Sequence, residues 1–532
     1  MPAVPGRFRW PLTVAALMTC AGAASVALGP DDNWDLLYYH LYAPYAYLHG
    51  RYLYDLGPAQ SQGFFNPVAD FLFYGLVSSP LNGAPRVVAF VMGAVHGINA
   101  VLVLSIAAQV LRSAALWERR TMRALALVMG VSGAGFVSLL GVTTNDLVNS
   151  IFVLAALLAL LKVAVRTGDD IPWRGFACAG LWAGVAVGLK YTAAIYLPGL
   201  GLVALAAARR RGSVAGVAAF GAAAAVGLLA VAGHHLLTLW QDFGNPVFPF
   251  LNEVFRSPYY EPLAIRDTRF LPRNLGQLIA YPFYWAKTNI YLVTEFPFRD
   301  WRGAIAYVAI AAALPTFVAP RLFSRLRGAA VGTEVRGLGL VVLFVVVSFV
   351  CWEFAFAIYR YGVVLEMLTG VIAMGALLRL IGDARVRVAA AMAVLALAAA
   401  TTVYFDWGRG EYDDKYVAVR VPPLPPDSVV LIATWQPVAY FIPFAEPTAR
   451  FVGIENNYLE LSQDNLLAAE VKRLLGTPGP AKFVLNVGPF DGPKLNALLA
   501  NFGRKLSGQP CLPIASNLAT AADEALSLCP VS

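Results

Sequence analysis

The stretch PLTVAALMTCAGAASVALGPDDNWD, residues 11–35, decides the class of this chain. Residues 11–29 are apolar and long enough to cross a bilayer, which takes about 20 residues of helix. Asp31, Asp32 and Asp35 follow at once. A carboxylate in hydrocarbon costs several kilocalories, so this cluster marks the point where the chain leaves the membrane. Three acids within five residues at that surface point to chemistry there. Arg7 and Arg9 also fit the charged start of a signal peptide. A retained anchor is the reading adopted, because it holds Asp35 at the membrane.

The rest of the chain agrees with this class. Of 532 residues, 58% are hydrophobic and only 14% charged, against about 25% charged in soluble proteins. The mean hydropathy is +0.62. The net charge of +8 sits mainly in short Arg clusters between apolar runs. That is the pattern of positive-inside anchoring. No basic patch on a soluble face suggests a nucleic-acid partner.

Eleven apolar segments predict spans: 11–29, 86–111, 123–142, 146–165, 173–189, 191–208, 213–240, 303–320, 338–358, 361–381 and 388–405. The Arg clusters at 112–123, 166–174, 209–211, 321–336 and 379–387 all fall on the side of the N-terminus, which is therefore expected to be cytoplasmic. Loops 30–85 and 241–302 and the tail from 406 then lie outside, as expected for a multi-pass protein of a bacterial inner membrane. Val68–Ser79 is apolar but too short to span, and prolines rim it. It is expected to lie on or dip into the outer leaflet.

The fold expected is an all-α polytopic membrane domain over 1–405, a linker over 406–428 that is Pro-rich at 421–426, and a small soluble α/β domain over 429–532. In that tail Val429–Ile432 and Lys482–Val487 read as strands, Asn465–Leu475 and Pro493–Phe502 as helices, suggesting a mostly parallel sheet. Its expected role is a structural lid. Cys20, Cys178 and Cys351 lie in apolar runs and read as buried hydrophobes. Cys511 and Cys529 are expected to pair if the tail is extracytoplasmic.

Asp35, Tyr39, Ala43 and Gly50 fall at offsets 0, 4, 8 and 15. This spacing resembles the opening motif of the aminoarabinose and protein-mannosyl transferase families, which are membrane glycosyltransferases of the GT-C fold. Asn66-Pro67 before the short helix, Pro85-Arg86, Thr143-Thr144-Asn145-Asp146, Gly188-Leu189-Lys190-Tyr191 and Tyr359-Arg360-Tyr361 are similar in order and sidedness. The resemblance covers about residues 11–405. It implies transfer of a sugar from a polyprenyl-phosphate donor at the outer face to an envelope lipid, glycan or protein. Two departures stand out. Leu36 replaces the Glu usual after the catalytic Asp, and Phe65-Asn66-Pro67 replaces Lys-Pro-Pro, removing a usual phosphate-binding Lys.

With a phosphate already in place as leaving group, such a transfer needs one carboxylate to take the acceptor's proton. A single displacement inverts the anomer. Asp35 is the expected base, with Asp32 second; the alternative for Asp35 is a helix N-cap. Lys190, Arg360 and Arg86 are the expected phosphate ligands, because cations at outer span ends run against the positive-inside trend. Their alternatives are snorkelling for Lys190, pairing with Glu353 or Glu366 for Arg360, and helix-end anchoring for Arg86. Asp31, Tyr39, His40, Asp55, Asn66, Asp146, Tyr191 and Asn245 are the expected substrate-binding residues; Asp146 with Thr143 or Thr144 also reads as a cap. The Arg- and Tyr-rich part of loop 241–302 is expected to form a second wall of the cavity. The adjacent His234 and His235 point to different sides of a helix and make a poor metal pair. No cofactor is expected, although Asp31, Asp32 and Asp35 could supply oxygen ligands to a divalent cation.

Two other classes remain. A multi-pass transporter or flippase of a lipid-linked sugar would place polar groups at mid-membrane in repeated halves. A membrane-anchored scaffold would leave the acids of the first loop without a role.

Overall fold

The computed structural model describes residues 9–532 apart from 114, 166–172, 212, 288–296, 319–333, 456, 458–463 and 519. A helix occupies each of the eleven expected segments: Arg9–Leu28, Pro85–Val110 (as Pro85–His96 and Ile98–Val110), Leu116–Val131, Asp146–Val165, Trp173–Leu189, Leu197–Arg211, Val214–Phe243, Arg302–Val318, Glu334–Ala355, Val363–Leu380 and Ala384–Thr401. Eight of these regions are long and apolar enough to cross a membrane, taking the turns at Tyr191 and Tyr359 with the helices that follow. Trp173–Leu189 and Arg302–Val318 are apolar but shorter. Leu116–Val131 begins with Glu118, Arg119 and Arg120 inside its first turns, so it starts earlier and more polar than expected.

The charges sort to two faces. Arg387 pairs with Glu118 at 2.5 Å, and Arg379 donates to Thr316 Oγ1 at 2.7 Å and Thr316 O at 2.9 Å. The Arg-bearing ends of four helices therefore meet on one face. Arg166, Arg321, Arg325 and Arg327 lie outside the described residues. The first loop, the turns at Lys190 and Tyr359 and the tail gather on the other face.

Helices Trp173–Leu189 and Val214–Phe243 run in close contact through glycine. A Cβ on Gly180 would strike the Phe220 carbonyl oxygen, one on Gly184 the Ala224 carbonyl oxygen, and one on Gly227 the Leu181 carbonyl oxygen. Small residues let helix backbones approach in lipid, where dispersion rather than the hydrophobic effect holds helices together.

The short apolar segment is not a span. Asn66 Oδ1 accepts from Val68 N at 3.3 Å and starts a turn, Pro67–Asp70, that runs into the helix Phe71–Val77. Ser79 and Pro80 then open a further turn.

The tail carries six strands: β1 Val419–Arg420, β2 Val429–Ala433, β3 Arg450–Glu455, β4 Lys482–Val487, β5 Leu512–Ser516 and β6 Leu526–Val531. Their order is β1-β5-β6-β4-β2-β3. Only β2 pairs in parallel, with β3 and with β4; the other pairings are antiparallel. The sheet is thus mixed, not mostly parallel. The last two strands follow one another through a loop instead of a crossover helix, and that allows antiparallel pairing. β1 lies ahead of the Pro-rich stretch, so the sheet begins before residue 429. Cys511 and Cys529 form a disulfide.

The tail is stitched to the first loop. Asp32 N donates to Gly408 O at 3.0 Å and Gly410 N to Pro30 O at 3.1 Å. Leu56 pairs alongside β3 as an extra edge segment, with Leu56 N to Phe451 O at 2.9 Å and Gly453 N to Leu56 O at 2.8 Å. Arg51 grips Asp55 through Nε at 2.7 Å and Nη2 at 2.9 Å, and donates to the carbonyls of Pro447 at 2.7 Å and Ala449 at 2.6 Å. Asp55 in turn accepts from Phe451 N at 2.9 Å. Removing one member of such a buried pair leaves an uncompensated charge and costs about 3–5 kcal/mol. Arg51→Ala is therefore expected to lower the unfolding midpoint of the detergent-solubilised protein and to expose the tail to limited proteolysis. Unchanged proteolysis would show that the pair does not hold the tail in place.

Candidate functional site

Four turns on the tail-bearing face converge: the segment after the first span, the turn at Thr143–Asp146, the turn at Lys190, and the turn Tyr359–Gly362. Asp35 begins a π turn over Leu36–His40 and makes no capping hydrogen bond with its side chain. Arg360 Nη1 instead donates to Asp35 Oδ2. The two side chains are 13% and 12% exposed. Burial alone would push the Asp35 carboxyl up. Arg360, with His40 and Lys190 nearby, outweighs it and holds the group below its ordinary value. A carboxyl with a lowered value stays ionised near neutrality and contributes stability that is lost only as pH falls through that lowered value.

Arg360 also lies over two rings, 5.2 Å from the Tyr361 centroid and 5.0 Å from that of Trp407. Lys190 Nζ sits 5.1 Å from the same Tyr361 ring. It donates to Asp146 Oδ1 at 2.7 Å and to Thr144 O at 2.8 Å. Burial pulls its ammonium below the usual lysine value, with Arg360 acting in the same direction and Asp146 opposing. Two cations thus share one tyrosine face. A small cleft opens beside them, lined by Asp146, Asn149, Thr192, Tyr196, Arg360 and Tyr361. Asp146 Oδ2, Asn149 Oδ1 and the Tyr191 hydroxyl are buried without a hydrogen-bond partner among the described residues. Unmet polar groups of this kind cost free energy unless a ligand satisfies them.

Next to Asp35 lies a second group. His40 Nδ1 is 2.6 Å from Asp70 Oδ1, and Asn145 Nδ2 donates to the same oxygen at 2.5 Å. Asn145 holds a left-handed φ of 63°, which asparagine tolerates better than most residues. Tyr39 lies against His40 with centroids 4.1 Å apart and the rings tilted by 40°, and meets Phe65 edge-on at 5.5 Å. Its hydroxyl is raised well above the ordinary value, first by burial and then by Asp35.

Of the residues expected from sequence, the structure brings together Asp35, Tyr39, His40, Asp146, Lys190 and Arg360, with Tyr191 adjoining. It places the others elsewhere. Asp31 is buried and satisfied: it accepts from Thr143 N and Oγ1, both at 2.7 Å, and from Asn33 Nδ2 at 2.5 Å. Thr143 therefore braces Asp31 and does not cap the helix at Asp146. Asp32 lies against the Gly408–Gly410 turn of the tail. Asp55 belongs to the Arg51 clasp. Asn66 Nδ2 donates to Gly188 O at 2.7 Å and so fixes the turn before Lys190. Asn245 closes its own loop through Phe250 O at 3.0 Å. Arg86 stacks on Tyr412 of the tail at 4.7 Å, away from the two phosphate candidates. Glu366 is taken by the Gly135 and Phe136 amides and Tyr359, so it is not the partner of Arg360.

The three acids of the first loop do not converge on one point. Among the described residues, no group of three or more His, Cys, Asp or Glu is placed to hold a metal ion. His234 and His235 take different partners, Tyr47 and Phe64 O. In loop 241–302, Arg266 binds the carbonyls ending the helix Glu334–Ala355, the Ala355 oxygen at 3.1 Å. Arg269 pairs with Asp267 at 2.8 Å. Among the described residues, none of loop 241–302 is among those lining the cleft.

Sequence reading passed over Asp70, Asn145 as a side chain in its own right, and Trp407. Asp70 carried a signal: it is the one charged residue in the apolar stretch 68–79.

No family model matches the chain, and no curated protein matches it. Among solved structures it is similar to ArnT from Cupriavidus metallidurans bound to undecaprenyl phosphate, with 12% identity, a TM-score of 0.49, and 99% of this chain and 98% of that one covered. It is also similar to an oligosaccharyltransferase of Archaeoglobus fulgidus, as a complex with zinc and sulfate (14% identity, TM-score 0.46, 88% and 68% covered) and in its apo form (13%, 0.44, 89% and 69%). At these scores the likenesses decide nothing about function.

Arg360→Gln removes the charge that offsets burial. The titration of Asp35, followed by carbon NMR in Asp-labelled protein, is expected to move to higher pH. An unmoved or lowered titration would show that Arg360 does not set it.

Proposed function

We propose that the protein is a membrane glycosyltransferase that moves a sugar from a polyprenyl-phosphate donor to an envelope lipid, glycan or protein at its tail-bearing face. The observation that carries this reading is the pairing of two cations, Arg360 and Lys190, around Tyr361 at the mouth of a cleft, beside two carboxylates. Guanidinium and ammonium groups held in a half-buried site suit a phosphate with developing charge. The donor phosphate takes Arg360 in its planar fork and Lys190 as a point charge. Both cations are held by carboxylates when the donor is absent, which keeps the buried charges compensated.

Asp35 is the base in this reading. Donor phosphate draws Arg360 away from it, and the carboxylate is freed to take the proton of the acceptor hydroxyl. The acceptor oxygen bonds to the anomeric carbon, and the carbon–oxygen bond to phosphate breaks with its electron pair leaving on the phosphate. One displacement inverts the anomer. Coupling of the base to the donor cation makes Asp35 a competent base only when donor is bound. Asp146 Oδ2 and Asn149 Oδ1 accept from hydroxyls of the sugar, and the Tyr191 hydroxyl donates to the sugar or the phosphate. The lid shields this step from water, which would otherwise compete as acceptor.

The transporter reading places polar groups at mid-membrane. Here the charged groups lie at the ends of spans, and this supports the enzyme.

Purified protein in lipid with a panel of polyprenyl-phosphate sugars, scored by mass shift of an acceptor lipid, tests the reading. Asp35→Asn is expected to lose transfer by at least about 100-fold while keeping abundance and thermal midpoint. Lys190→Ala and Arg360→Ala are expected to raise KM for donor about 10-fold or more, the loss of a charge-assisted contact. Uptake of labelled solute into vesicles with no transfer would sink the proposal.

A further inference from the structure

We infer that His40, held by Asp70, is a second proton carrier of the same site: it receives the proton taken up by Asp35 and returns the carboxylate to its working state. This rests on the transferase reading given above and extends it to a residue pair outside the motif that the first loop resembles.

Four observations point to it. In a π turn, residues five apart follow in line along the helix, and the π turn over Leu36–His40 puts His40 five residues after Asp35. His40 is 2% exposed, and a proton gained by its ring would place a positive charge that acts on the Asp35 carboxyl. Its Nδ1 faces the Asp70 carboxylate at 2.6 Å, and a carboxylate can only accept. The proton therefore sits on Nδ1 in the neutral ring, and Nε2 is left as the acceptor. That Nε2 is buried and has no partner among the described residues. Asp70 is fixed on its own side by Asn145 Nδ2 at 2.5 Å, so the ring cannot easily turn to satisfy itself. A buried imidazole whose one acceptor is unsatisfied, oriented by a carboxylate from behind, is arranged to take a proton. The charged and titratable groups around it are Asp70 on the following turn, Asp35 and Tyr39 on its own, and Arg360 and Lys190 across Asp35.

The need for such a group follows from the chemistry. Each transfer leaves one proton on Asp35, and a protonated Asp35 no longer holds Arg360 when product leaves. His40 Nε2 takes that proton through one bridging water. The Asp35 oxygen–hydrogen bond breaks, the Nε2–hydrogen bond forms, and the imidazolium is stabilised by Asp70. The proton then passes from Nε2 to bulk water as the site opens, which restores the neutral ring. No oxidant, metal or co-reactant enters the balance.

The test has one arm that needs no substrate. Nitrogen NMR of histidine-labelled protein, with His40→Gln used for assignment, is expected to show His40 protonated on Nδ1 and bare on Nε2 in alkaline solution. Asp70→Asn is expected to mix the tautomers. A His40 that is bare on Nδ1 in the wild type overturns the inference, whatever the enzyme does. In the transfer assay, His40→Ala is expected to lower kcat about 10- to 100-fold with donor KM within twofold, and added imidazole is expected to restore part of the rate. A merely structural histidine would not be rescued. If Asp35→Asn is inactive while His40→Ala is folded and turns over at the wild-type rate, the relay is wrong and the transferase stands. If no donor supports transfer by the wild type, the transferase reading fails, and the inference falls with it as a statement about catalysis.

Discussion

One ion pair organises this face of the protein. Asp35 follows the first span and Arg360 precedes the helix Val363–Leu380, so the contact joins positions 325 residues apart. Neither charge is tolerable alone at the edge of hydrocarbon. Each needs the other, and the pair brings together turns that the helical bundle by itself would leave only near one another. The rings of Trp407 and Tyr361 close over Arg360. Lys190 follows through the shared Tyr361 face, and Asp146 follows through Lys190. Each cation is paired with one carboxylate, Arg360 with Asp35 and Lys190 with Asp146.

The tail is best understood through a different pair. Arg51 and Asp55 are four residues apart on the first loop, yet most of their remaining hydrogen bonds go to the tail, at Pro447, Ala449 and Phe451. The loop also lends Leu56 to the exposed edge of β3. An unpaired strand edge is an invitation to aggregate, and here the protein covers it with its own loop. Docking and edge protection are thus one structural solution. They tie the loop that carries Asp35 to the tail.

Several acids of the first loop share a residue type and differ in what they do. Asp31 is saturated by Thr143 and Asn33, Asp55 by Arg51, and both serve as internal braces. Asp35 has a cation that can be exchanged. Asp70 has an imidazole whose far nitrogen is unmet. Carboxylates fully occupied by fixed backbone and side-chain donors hold structure.

Hydrophobic length and charge sidedness were legible in the sequence, and they determined the membrane class, a helix at each of the eleven segments and the common face of the first loop and tail. Both are local properties, set by about 20 residues at a time. The strand at Lys482–Val487 and the helix capped by Asn465 were legible for the same reason. Tertiary structure alone decided which acids do what. Asp31 and Asp35 are chemically alike and four residues apart, and only the position of Thr143 and Arg360, more than 100 and 300 residues away, separates a saturated brace from a carboxylate paired with a cation. It alone decided the mixed order of the sheet, since pairing partners are chosen by edges that meet late in the chain. It alone raised Asp70 from an oddity in an apolar run to the partner of His40. Electrostatic identity belongs to neighbours, and in a folded chain the decisive neighbours are seldom near in sequence.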